Sequence, residues 1–448
     1  MKHKSPLKPF TVFAVWVLAF AAVSLASAAP GDLTRVSVAS DGTQGDDISF
    51  SPALSEDGRL ILFHSAASNL VPGDTNGVWD AFLHDRETGT TTRISQTADG
   101  TQGNGTSINP QISADTRFIA FQSEATNLVP GDTNGCYDIF VQDRQTGAIT
   151  RVSVASDGTQ GARASSSPTL SADGRFVAFY SPSDNLVLGD TNEDFDVFVH
   201  DRQTGETTRV SVASDGTQGN GISSHPILSA DGRLVAFRST ASNLVPDDTN
   251  GWADIFVHDR ETGETRRVSV ASDGTQANSM ANYITLSGDG RFVGFSSHAS
   301  NLVPNDGNRI EDVFVHDRQT GITRRVSEAS GEGGNAQSMA PSISPDGRFV
   351  AFRSMASNLV PGDTNGNNDI FLHDLKTGEN TLPSSASDGS PGDLDAFYAA
   401  VSERGCFVAF TSYSTNLVPG DTNGTRDVFV RERLCCHEYF FPFFLAAD

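Results

Sequence analysis

The sequence predicts an all-β protein: a seven-bladed β-propeller of four-stranded antiparallel blades, its last blade closed by the N-terminal strand. Three observations predict it. The first is a period. The serine of "SEDGR" is Ser55, and its counterparts are Ser113, Ser171, Ser229, Ser287, Ser344 and Ser402. The steps between them are 58, 58, 58, 58, 57 and 58 residues, so seven units of one length fill about 400 residues. A fixed period of this kind marks a repeat architecture. The second is the content of each unit. In the third, "SSPTLS", "RFVAFYS", "DVFVHDR" and "TTRVSVAS" are apolar-rich runs of six to eight residues. They are rich in Val, Phe, Ile and Thr and bounded by Gly or Asp turns, so they read as strands rather than helices. The third is an offset. The seventh unit ends after "DVFVRER" without its fourth run, while "LTRVSVAS" (33–40) precedes the first unit. Pairing the orphan with the incomplete unit closes a ring and removes the edge that a linear array would expose.

The elements follow in order. The N-terminus carries Lys2, Lys4 and Lys8, an apolar run from Phe10 to Leu25, and small residues at Ala26-Ser27-Ala28. That is the pattern of a signal peptide over 1–28. Cleavage would leave 28 basic and 55 acidic residues. An uncleaved membrane anchor is the alternative reading; no later stretch is long and apolar enough to span a bilayer. The propeller itself is expected over 29–433. Within each unit, "ADG" and "QTG" are hairpin-length turns with Gly where positive φ is needed. The second-to-third connection is longer, "SASNLVPGDTNG", as is the link to the next unit, "ASDGTQGN". Propeller topology puts these two long segments on one face of the disc, where binding tends to reside. The tail 434–448 leaves the repeat and carries five aromatic residues between Tyr439 and Phe444.

Composition excludes some partners. The chain has 31 basic and 55 acidic residues, a net charge of −24. Such a surface repels nucleic-acid phosphates and anionic headgroups and favours cations or a basic protein patch. The acidic loops place that charge on the long-loop face. Four cysteines, Cys136, Cys406, Cys435 and Cys436, are too few for a disulfide framework and match no zinc spacing.

"SPDGRFVAFRS" (344–354) resembles the strand–turn–strand phrase of TolB-type, WD-like propeller repeats, and "DIFVHDRETGETRRVS" (254–269) is similar to their second hairpin. The resemblance covers all seven units. It implies an exported, mostly non-catalytic propeller that binds proteins or envelope components. The chain departs from TolB in blade number and in its longer second-to-third loop. Related propellers cap serine peptidases, but no G-x-S-x-G occurs here.

Three sets of residues are candidates for chemistry. Each long loop carries Asp, Asn two residues on, and Asp six residues on: Asp74, Asn76 and Asp80; Asp132, Asn134 and Asp138; Asp190, Asn192 and Asp196. The series continues with Asp248, Asn250 and Asp254; Asp363, Asn365 and Asp369; Asp421, Asn423 and Asp427. Closely spaced hard oxygen ligands suit Ca²⁺. The same residues also cap turns and start the third strand; the sequence leaves both readings open, and no cofactor is required by either fold or motif. His84, His200, His258, His316 and His373 share one third-strand position and are expected to pack within separate blades. The residue four before each repeat serine varies most, and Asn109, His225, Tyr283 and Tyr398 are expected at the channel mouth as ligand-binding groups. No catalytic residue is assigned. The expected function is a monomeric scaffold that meets a protein or surface polymer on its acidic long-loop face. The alternatives are a carbohydrate-active or other enzyme at the channel mouth and a Ca²⁺-dependent binding propeller.

Overall fold

The computed structural model describes residues 31–433. The expected signal segment, 1–28, and the tail, 434–448, lie outside them. Seven four-stranded antiparallel sheets form the seven blades. In blade 1 the strands are Ser49–Leu54, Leu60–Ser65, Asp80–Asp85 and Thr90–Arg93, inner to outer. Blade 7 takes its first three strands from Ala396–Val401, Phe407–Ser412 and Asp427–Glu432 and its fourth from Leu33–Arg35. The closing register is Leu33 opposite Arg431, Thr34 opposite Val430 and Arg35 opposite Phe429. The predicted orphan strand therefore completes the ring.

The core lies between blades. Second and third strands are almost wholly buried, and each contributes one phenylalanine to a stacked pair. Phe63 meets Phe82 at 5.8 Å between centroids, and Phe237 meets Phe256 at 5.9 Å. Around each pair the apolar residues of two neighbouring blades interleave: Ile61, Phe63 and Leu70 of blade 1 pack with Ala409, Val428 and Val430 of blade 7. Burial of this area is the main stabilising force of the ring.

The fourth strands are shorter than the eight-residue runs predicted. They span two to four residues, as in Asn380–Thr381 and Glu206–Arg209. The cause is local. After the ladder ends, the next serine turns inward: Ser153 Oγ donates to Asp138 at 2.6 Å, and Ser153 is completely buried. The "SVAS" half of the run is pulled out of the sheet to satisfy a buried carboxylate.

The short-turn face is sealed by a repeated device. At Gly174, with φ +65°, an added Cβ would lie 2.4 Å from the Phe118 ring of the preceding blade. That ring is covered by Arg202 at 4.1 Å and Arg117 at 4.8 Å. Arg117 in turn forms a forked pair with Asp143 at 3.2 and 2.8 Å. The repeated arginines thus serve packing and turn geometry, as expected. Cys406 is disulfide-bonded and Cys136 is a free thiol. Among the described residues no helix is long and apolar enough to cross a membrane.

Candidate functional site

The Asp-x-Asn loops are built as clamps. In blade 1, Asn69 accepts from the Asp46 N–H at 3.0 Å and donates to the Gln44 carbonyl at 2.8 Å, fixing the link that enters the blade. Asn76 donates to the Gly103 carbonyl at 3.0 Å, fixing the link that leaves it. Between the carboxylates stands a donor set from the fourth strand and the link that leaves the blade. Gln102 Nε2 donates to Asp74 at 2.7 Å and Asp80 at 3.1 Å, and the Arg93 guanidinium lies 3.5 and 3.8 Å from the same two residues. Arg151 and Gln160 repeat this at Asp132 and Asp138, and Arg209 and Gln218 at Asp190 and Asp196. Arg267 and Gln276 do so at Asp248 and Asp254, and Arg35 and Gln44 at Asp421 and Asp427. The second aspartate is completely buried in every blade. In these five blades the loop carboxylates face a guanidinium rather than solvent, and the exposed carboxylates of the face are those of the links, such as Asp99 and Asp157. Among the described residues no group of three or more His, Cys, Asp or Glu is placed to hold a metal ion.

Blade 6 departs from the pattern. Leu382 and Pro391 stand where five of its sisters have arginine and glutamine. Asp369 keeps only neutral partners, Ser384 at 2.8 Å and Asn365 at 2.7 Å. Burial, with Asp363 and Asp395 nearby, pushes its carboxyl up to about 6.

The five third-strand histidines lie apart, one per blade, each hydrogen-bonded within it. His84 Nδ1 meets Thr91 Oγ1 at 2.9 Å, and His258 meets Thr265 at the same distance. Burial lowers the His84 pKa to about 4.

The channel mouth differs from both. The residue four before each serine, Ser51, Asn109, Ser167, His225, Tyr283, Ala340 and Tyr398, has φ between 43° and 54°. At that point the pairing of each first strand slips, as between Phe50 and Ala53. This is a β-bulge, which re-aims a side chain. A non-glycine residue in the left-handed region costs about 1 kcal/mol, and the ring carries seven. In five units the next residue is proline, which has no N–H to lose from the ladder. All seven bulge residues line one cavity of about 900 Å³. Asn109, His225, Tyr283 and Tyr398 are thus brought to one cavity.

The cavity is lopsided. Tyr283 and Tyr398 are 50% and 47% exposed. Gln111, Arg238, Asn282, Glu311 and Met339 also line it. His225 touches Tyr180 at 5.3 Å between rings, and Tyr180 touches Phe195 at 5.6 Å, so an aromatic track leads from the mouth over blade 3. Behind the lining residue Tyr398, at 6.0 Å from its ring, Arg426 lies 4.2 Å from both Phe50 and Phe397 and 4.6 Å from Tyr413. Sequence reasoning missed Arg238, Glu311 and Arg426. Their signal was available: position 238 holds His64, Gln122, Tyr180, Ser296, Arg353 and Thr411 in the other blades, as variable as the bulge.

An oligogalacturonate lyase in complex with manganese is 16% identical, with a TM-score of 0.54 over 91% of this chain and 94% of its own. The β-propeller domain of the Trilobed protease from Pyrococcus furiosus, which has an open velcro topology, is 12% identical, with a TM-score of 0.53 over 86% and 95%. TolB from Acinetobacter baumannii is 19% identical, with a TM-score of 0.42 over 68% and 60%. The likeness shows the fold. No family model and no curated protein matches the chain. The structural neighbours include TolB proteins. The closed last blade separates this chain from the open velcro of the P. furiosus domain.

Proposed function

We propose that the protein is an exported binding propeller whose ligand enters the mouth of the central channel on the long-loop face. One observation carries this reading: seven strained bulges direct seven side chains, four of them Asn109, His225, Tyr283 and Tyr398, into a single cavity of about 900 Å³. Uniform repeats need no such variety to fold, and strain concentrated at one mouth is a mark of function. Export rests on the basic–apolar–small pattern of residues 1–28 and on the disulfide at Cys406, a bond of oxidising compartments. Binding, rather than acid–base chemistry by two carboxylates, fits a lining in which Glu311 is the one carboxylate. The loops need no Ca²⁺ in this reading, because guanidinium and amide groups already stand between the carboxylates of five blades.

The test is a screen of immobilised glycans and peptides with the wild type and the Tyr283→Ala/Tyr398→Ala double variant. Ligands retained by the wild type are expected to be lost by the variant, with the melting temperature unchanged. Retention of every ligand by the variant overturns the reading. A melt in chelator is expected to match the melt in Ca²⁺, and a lower melting temperature in chelator overturns the statement about the loops.

A further inference from the structure

We infer that the channel mouth recognises a carboxylate-bearing sugar unit, with Arg238 meeting the carboxylate. The inference rests on the reading above and gives it a ligand class. It begins from how arginines are distributed in a chain with 55 acidic residues. In the rim loops and short turns, guanidinium groups pair with aspartate, as Arg93 does with Asp74 and Arg233 with Asp259 at 2.7 Å. At the mouth they do not. Arg238, Arg353 and Arg426 have no carboxylate within 4 Å among the described residues.

Arg238 lines the cavity, and its one protein hydrogen bond runs from Nε to the Ala281 carbonyl at 3.2 Å. Its terminal nitrogens make no hydrogen bond or ion pair with the described residues. Arg426 is 7% exposed, is walled by aromatic rings, and leaves its Nε without a partner. The Nε of Arg353 is likewise buried and unpartnered. Burial, and to a lesser degree the neighbouring Arg353 cation, lowers the affinity of Arg426 for its proton. Glu311 does not neutralise them: it accepts from Ser296 Oγ at 2.6 Å and faces His298 at 3.8 Å. His225 is held neutral, first by burial and then by Arg238. A protein with a large excess of carboxylates has thus kept three guanidinium groups away from all of them: Arg238 in the cavity lining, and Arg353 and Arg426 behind it, against the lining residues Met339 and Tyr398. Such groups gain most from an anion, and the fork of Arg suits a carboxylate.

The rest of the lining favours a sugar as the carrier of that carboxylate. Tyr283 and Tyr398 offer half-exposed rings on which the apolar face of a pyranose can lie. Asn109, Asn282 and Gln111 supply amides, which both donate to and accept from hydroxyl groups. A peptide would be bound best along a regular strand edge, and here every inner strand is broken by its bulge.

The experiment is titration calorimetry of the full chain with a panel of uronate oligosaccharides of different linkage, their methyl esters, and an acidic hexapeptide of matched charge. At least one uronate is expected to bind, its ester at least tenfold more weakly, since a charge-assisted hydrogen bond contributes about 1.5–3 kcal/mol. Arg238→Gln is expected to bind acid and ester alike, and Tyr283→Ala/Tyr398→Ala to bind neither. Far-ultraviolet circular dichroism and melting curves confirm that the variants fold. Binding of no uronate, equal binding of acid and ester, or preference for the peptide overturns the inference. Acid-specific binding that survives the double tyrosine change overturns instead the placement of the site at the mouth.

Discussion

The rim loops and the channel mouth are two rings on one face, and they obey opposite rules. At the rim, the phrase "NLVPGDTNG" is nearly invariant from blade to blade, and its Asn and Thr side chains bond neighbouring segments of the chain, as Asn69, Thr75 and Asn76 do. At the mouth, the seven equivalent residues are five different amino acids, and side chains such as Arg238 and Tyr283 leave groups unused. Repetition within a chain therefore indicates which residues hold the ring together. Departure from repetition indicates which residues are free to do something else.

Breaking a rim clamp should have the largest effect. Asp254 is buried with Ser269, Gln276, Asn250 and Arg267 around it. Asp254→Asn leaves a buried guanidinium short of a counter-charge and is expected to cost on the order of 3 kcal/mol, read from urea unfolding. Asp369→Asn in blade 6 removes a carboxylate that faces no guanidinium, and its cost at neutral pH is expected to stay below about 1 kcal/mol. Equal costs would erase the distinction between that blade and its sisters.

The same contrast has a pH signature. The Asp369 carboxyl titrates near 6 in the folded chain, against 3.8 as its ordinary value. Between those values the folded state binds more protons than the unfolded state. Asp369 therefore makes the chain less stable as pH rises from about 4 to 6 and adds no further change above that. The amplitude is on the order of 2–3 kcal/mol, and the difference between wild-type and Asp369→Asn unfolding curves isolates it. A parallel pair of curves would place the titration elsewhere.

Smaller effects are expected at single positions of the frame. Thr116 stands, with φ 60°, where blade 3 has Gly174. A β-branched residue is ill suited to that region, so Thr116→Gly should raise stability by up to about 1 kcal/mol despite the greater freedom of glycine when unfolded. Smallest of all, Tyr283→Ala removes a half-exposed ring outside the core and should shift unfolding by about 0.5 kcal/mol or less. A larger loss would mean that the mouth, too, is structural.

What the sequence made legible follows the same division. Period, strand number, turn positions and closure by residues 33–40 were readable because each is a local pattern or a count of local patterns. The placement of Asn109, His225, Tyr283 and Tyr398 was readable because register carries a position around the ring. The partner of each rim aspartate was not. Asp80 meets Arg93 on the fourth strand and Gln102 on the link to the next blade, and nothing local says that both converge on one carboxylate. A charge count gives no sign that the loop carboxylates are paired with arginines. Arg238 and Arg426 escaped notice for the converse reason: each looks like one more arginine in an arginine-bearing repeat, and only the absence of a nearby carboxylate sets it apart.

The seven bulges have a consequence for how such a protein can change. Each is a separate address, held by backbone geometry that tolerates serine, asparagine, histidine, alanine or tyrosine alike. One codon rewrites one address without disturbing the clamps at the rim or the phenylalanine pairs beneath. A library randomised at Ser51, Asn109, Ser167, His225, Tyr283, Ala340 and Tyr398 would vary the shape and polarity of the opening while leaving the wheel that carries it intact.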